Sequence, residues 1–146
     1  MFTKRFELAI LACFELARST RTVSASKICE WLGISLDFGH QILYKLKKSG
    51  LIQTERGSKG GIKLARDPSS ITLLDILIAI EPEALKLCCE KREIFNFCVK
   101  DNEICRLRNF FYSTFKKIEK ELTITIKDFL EDGLFWPREK KRQKTL

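Results

Sequence analysis

A single histidine, His40, in 146 residues leaves this chain short of the side chain that most often moves protons near neutral pH. No nucleophile–base pair and no phosphate-binding loop stands beside it, so an enzyme with a small-molecule substrate is not expected. Long apolar runs are missing too. No stretch approaches the roughly 18 apolar residues of a membrane span, and Lys4, Arg5 and Glu7 interrupt the first apolar run, where a signal peptide needs continuity. The expectation is no membrane partner and a cytoplasmic location. Without export, six cysteines argue against a disulfide scaffold and for metal, redox chemistry or plain burial. Acidic charge is scarce in one half: residues 1–66 carry 12 basic and 5 acidic side chains, net +7, whereas residues 67–137 sum to −3 and 138–146 to +4. Cations gathered on one half are the footprint of a protein that meets a phosphate backbone.

That half contains the most informative stretch, Val23 to Arg66. Ser24 or Ser26 can cap a first helix, with Ile28, Cys29, Trp31 and Leu32 as its apolar side. Gly33 breaks it, and Ser35 caps a second helix over about Leu36 to Lys48. There Phe38, Ile42, Leu43 and Leu46 share one face, and Asp37, His40, Gln41, Tyr44, Lys45, Lys47 and Lys48 the other. Gly39 weakens that helix by roughly 1 kcal/mol relative to alanine, which suggests close approach to another part of the protein or to a partner. Gly50 ends it. Leu51–Glu55 and Ile62–Ala65 read as paired strands around Arg56-Gly57-Ser58-Lys59-Gly60-Gly61, a small, cationic tip able to reach phosphates. The expected fold is mainly α with a small β-wing: a winged helix-turn-helix that binds double-stranded DNA. His40, Gln41, Tyr44 and Lys45 would face bases; Ser35, Lys47, Lys48, Arg56, Ser58 and Lys59 complete the surface, its cations on phosphates.

Ahead of this unit, Thr3 caps a helix to about residue 18 with Phe6, Ala9, Ile10, Cys13, Phe14 and Ala17 as its buried stripe. Cys13 and Cys29 read as core thiols. Behind it, Asp67–Ser70 connects to a short helix started by Thr72 and Asp75, expected between wing and arm and closed by Glu81-Pro82. Residues 82–101 form a loop long enough to be functional. Cys88, Cys89, Cys98 and Cys105 fall within 18 residues, a thiolate density that suits a soft metal centre, an iron–sulfur cluster above all. A thiol switch, a zinc site lacking the usual tight cysteine pairs, and inert cysteines remain open at this stage. From Asn102 to Leu122 a long helix repeats Ile104, Leu107, Phe111, Phe115, Ile118 and Leu122, widened by Phe110 and Tyr112 beyond what a small domain covers. Such a stripe is either core or a partner seam, and its width points to the seam. Thr125 and Asp128 open a last short helix, and Arg138–Leu146 reads as a disordered basic tail. The organisation is thus 1–66 DNA-binding, 67–81 connecting, 82–101 sensing, 102–136 dimerising and 137–146 tail.

The segments GISLDFGHQILYKLKKSGLI and RGSKGGIKLARDPSSITLLDILIAIE resemble the Rrf2 family of bacterial winged-helix repressors and activators, whose pattern runs Y-L-E-Q-I-L, L-x-x-x-G-L-V, then R-G-x-G-G-G-Y-x-L. The resemblance spans roughly residues 3–130. His40 stands where the family often has Glu, so base preference does not carry over, and Ile62 replaces an aromatic. The resemblance implies a homodimer through the long helix, and a cluster, 2Fe-2S or 4Fe-4S, on three loop cysteines. The best match is Cys89-x8-Cys98-x6-Cys105, with Cys88 as the alternative to Cys89. The first gap exceeds the family's usual five. Arg108 occupies the place of a histidine ligand found in some relatives, which leaves Glu7, matching a carboxylate position in the first helix, Cys88 or an exogenous group as fourth ligand. Two further readings are a metal-free winged-helix repressor, regulated by thiol oxidation or a partner protein, and a protein-interaction module that kept the fold and lost DNA reading.

Overall fold

The computed structural model describes residues 2–87 and 105–131. Cys88, Cys89, Cys98 and the segment from 132 onward, with the expected tail, lie outside the described residues.

Helix α1 (Lys4–Arg18) begins where the Thr3 hydroxyl accepts the Phe6 N–H. The expected stripe undersells it. Leu8, Ala12 and Leu16 are buried along with Phe6, Ala9 and Cys13, and so is Glu15. α1 is the central pillar rather than a one-sided surface helix, because α2 (Ala25–Leu32), α3 (Leu36–Lys48), α4 (Leu73–Ile80) and α6 (Ile126–Glu131) all pack on it. Ser24 caps α2, and Gly33 ends it in the left-handed conformation (φ 66°) that favours glycine. Ser35 caps α3, which has the bounds its sequence implied.

Gly39 is explained by what it touches. A Cβ placed there would come 2.1 Å from the Cys29 sulfur. The two helices of the reading unit therefore cross with the α2 thiol seated on the glycine of α3, and the helix propensity lost at Gly39 is exchanged for that closeness.

Strands β1 (Ile52–Glu55) and β2 (Gly61–Leu64) pair antiparallel with Ile52 opposite Leu64. A third extended piece, unseen in the sequence, joins them. Val23 exchanges backbone hydrogen bonds with Ile62 at 2.9 and 2.7 Å, and Thr22 Oγ1 donates to Lys59 O at 2.8 Å. A Cβ at Gly61 would press to 3.0 Å of the Val23 backbone, which is why this edge starts with glycine.

After a 3-10 turn at Pro68–Ser70, Thr72 and Asp75 form the expected capping box on α4. This apolar helix does not lie between wing and arm. It packs on α1 and α3, with Ile76, Leu77 and Ile80 buried and Ile78 facing outward. The arm reaches it through backbone instead: Leu73 N–H donates to Ile124 O, Leu74 N–H to Leu122 O and Ile126 N–H to Ile71 O. Helix α5 (Arg106–Glu121), about 24 Å long at 1.5 Å per residue, starts later than expected. Cys105 is its extended N-cap rather than its first turn.

A candidate nucleic-acid interface

The polar face of α3 and the wing enclose an open groove of about 330 Å³, lined in part by His40, Tyr44, Lys47, Thr54 and Glu55. His40, Gln41, Tyr44, Lys47 and Lys48 are exposed on α3, and Ser35 is both exposed and the cap. At the hairpin tip Arg56, Ser58 and Lys59 are exposed. Lys47 Nζ donates to Thr54 Oγ1 at 2.9 Å, which ties the reading helix to the wing. Lys63 pairs with Glu55 across the strands. The structure thus sets His40, Tyr44 and Lys47 beside the wing and leaves most of the other predicted DNA-facing residues exposed, with two qualifications.

Lys45 is half-buried, and its Nζ donates to Ile80 O at 2.6 Å, the last turn of α4. Its charge completes the negative end of a neighbouring helix instead of projecting with its neighbours. Gln41 is not alone either. Its Oε1 accepts from Arg5 Nη2 at 3.3 Å, and the Arg5 guanidinium lies 5.6 Å from the Phe38 ring centroid. Sequence reasoning missed Arg5, Thr22 and Val23 as parts of this surface. The local signal for Arg5 was a cation in the first turn of a capped helix.

The cysteines separate by environment. Cys13 is fully buried, and burial pushes its thiol up to about 12. Cys29 is buried under Gly39 and is likewise raised by desolvation. Neither fits a metal. Cys105 is partly exposed, and its Sγ accepts the Arg108 N–H at 3.4 Å, an N–H···S contact of the sort that tunes cluster sulfurs. Glu7 is exposed on the first turn of α1. Among the described residues no three His, Cys, Asp or Glu side chains converge as a metal site. Cys105 and Glu7 are the described members of the predicted donor set, and an accessible thiol and an accessible carboxylate are compatible in chemistry with an iron–sulfur centre.

Helix α5 has no buried residue. Leu107, Phe110 and Tyr112 are 66, 63 and 56 % exposed, and Phe110, Phe111 and Phe115 form a chain of ring contacts at 5.6 and 5.9 Å. Among the described residues no helix is long and apolar enough to cross a membrane.

A capped helix-turn-helix with an open polar face, braced against a cationic hairpin, defines a winged-helix DNA-binding protein. Comparison with known proteins narrows the class. The Rrf2 family, described as an iron-dependent transcriptional regulator, matches residues 2–132. An rrf2-like HTH-type transcriptional regulator of Rhodobacter capsulatus is 26 % identical over 91 % of this chain and 94 % of its own length. The HTH-type regulator IscR of Photorhabdus laumondii is 30 % identical over 62 % of this chain and 57 % of its own. The structure of T. potens IscR superposes with a TM-score of 0.68 at 29 % identity, covering 90 % of this chain and 87 % of that one. CymR, the global cysteine regulator of B. subtilis, shares the fold with a TM-score of 0.71 at 19 % identity, over 90 % of this chain and 97 % of that one. The chain belongs to the Rrf2 family. It is a DNA-binding transcriptional regulator and not an enzyme.

Proposed function

We propose that this regulator works as a homodimer in which the cysteines after α4 report iron–sulfur or redox status, nitric oxide included, to the reading helix. Residues 1–66 read DNA, 67–81 connect, 82–101 sense, 102–136 pair the subunits, and 137–146 add a basic tail. His40, Gln41 and Tyr44 face bases in the major groove, and Lys47, Lys48, Arg56 and Lys59 hold phosphates. Lys45 serves the connection instead.

The observation that carries the sensing half is the 2.6 Å bond from Lys45 Nζ to Ile80 O. It joins the middle of the reading helix to the end of α4, and the chain runs from there towards Cys88 and Cys89. The next residue, Glu81, accepts through Oε1 from the Thr3 hydroxyl that caps α1. One short segment therefore holds both helices that frame the reading face. A displacement of that segment biases the face between two arrangements, which is what coupling of two sites requires.

Cys89, Cys98 and Cys105 would hold the cluster, with Cys88 as the alternative to Cys89 and Glu7 as the remaining candidate ligand. The group, when bound, supplies an iron centre whose charge and integrity respond to oxidants and nitric oxide. The homodimer is supported by the uncovered aromatic face of α5, and a twofold pair would set two reading helices on a pseudo-palindromic site.

The test is purification without oxygen, with visible absorption, iron and sulfide measured together. The proposal expects a coloured protein with thiolate-to-iron bands that Cys98→Ala or Cys105→Ala removes. A colourless, iron-free protein after reconstitution would transfer the sensing role to thiol oxidation or a partner protein.

A further inference from the structure

We infer that Arg5, in the first turn of α1, sets which base Gln41 reads by holding its side-chain oxygen. The inference rests on the reading above that Gln41 faces bases.

Arg5 is fixed from three sides. The Thr3 cap and buried Phe6 place its backbone. The Phe38 ring, 5.6 Å away, supports the guanidinium. Gln41 Oε1 receives Nη2 at 3.3 Å. A guanidinium has donors only, so chemistry decides the orientation of the amide: the oxygen must turn to Arg5, and the NH2 must turn away from it. A free glutamine reads adenine by accepting from N6 and donating to N7, a pairing that needs both ends of the amide. Here the oxygen is engaged, and a cation beside it repels the amino group of adenine. The outward NH2 of Gln41 and the spare N–H groups of Arg5 make a donor-rich pair. The major-groove edge that matches two donors is guanine, through N7 and O6. Arg5 is thus a positioning residue for specificity, contributed by a helix outside the helix-turn-helix.

The probe is a duplex selected from a randomised double-stranded library by the full-length protein. Affinities are then measured at fixed salt on that duplex and on versions with each G·C pair replaced by A·T. Gln41→Ala is expected to abolish a guanine preference at one position of the half-site. Arg5→Ala is expected to lower the same preference by about tenfold while binding persists. Arg5→Lys, which keeps a cationic donor, should largely preserve it. If Gln41→Ala abolishes the preference and Arg5→Ala leaves it intact, the Arg5 role is overturned and Gln41 stays a base reader. A preference for adenine at the Gln41 position overturns the Arg5 role in the same way. If Gln41→Ala changes no preference at any position, both the inference and the placement of Gln41 on bases fall.

Discussion

The reading unit and the arm are built on opposite terms. From α1 to β2 nearly every apolar side chain has somewhere to go: Phe6, Ala9, Ile28, Ile42, Leu46 and Ile62 are all buried within one chain. In α5 none is, although the helix carries three phenylalanines and a tyrosine. Among the described residues its anchoring lies at the C-terminal end, through buried Leu122 and the hydrogen bonds that Leu73 and Leu74 N–H donate to Ile124 O and Leu122 O. Burial is what makes a small domain stable by itself. The reading unit takes part of its cover from α4 and α6 of the same chain, whereas among the described residues α5 is covered only towards its C-terminal end.

The sharpest way to break the first region is at the α2–α3 crossing. Gly39→Ala would add about 1 kcal/mol of helix propensity, yet its methyl meets the Cys29 sulfur at 2.1 Å. Overpacking of that kind costs about 1–3 kcal/mol, so a net loss of stability is expected, read as a lower thermal midpoint. Adding Cys29→Ala removes the obstructing atom, leaving contacts of 3.6 Å. The double variant should therefore recover more than the two single effects sum to. Additive losses would mean the contact is not what Gly39 is there for.

The arm is broken differently. Phe110→Glu should leave the thermal midpoint of the reading unit in place and weaken self-association by about 2 kcal/mol or more, the scale of an interface anchor. Sedimentation at micromolar concentration reads it directly, and an unchanged assembly would remove α5 from the interface.

The smallest expected effect lies at the tip of the wing. Lys59→Ala should lower affinity for all sequences alike and reduce the salt slope of binding by about 1. An unchanged slope would take Lys59 off the phosphates.

The same contrast explains what could be read from the amino acids alone. Caps at Thr3, Ser24, Ser35 and Thr72 are local chemistry, and each begins the helix it was expected to begin. The wing follows from glycine and strand patterning in the same way. The positions misread are those decided by distant neighbours. Lys45 has the sequence context of a groove cation, but α4, 35 residues on, supplies a carbonyl for it. Val23 has no strand pattern of its own until Ile62 pairs with it. Cys105 is the local exception: placed inside the helix by its sequence, it caps it instead, its sulfur accepting the Arg108 N–H. Of the candidate site, the grouping of exposed polar residues was legible because they lie on one helix and one hairpin. The links from that surface to α1 and α4 were not, because they join residues far apart in the chain.

Those links are what the sensing proposal depends on, and one measurement tests them most directly. Affinity for the selected duplex is compared before and after removal of iron from anaerobically prepared protein, in the wild type and in Lys45→Met. The account predicts a shift of about tenfold or more in the wild type, within the usual range of coupling between sites. It predicts little or no shift in Lys45→Met, whose reading helix is no longer tied to the end of α4. A Lys45→Met protein that responds to iron removal as fully as the wild type, or a wild type that does not respond, would contradict it.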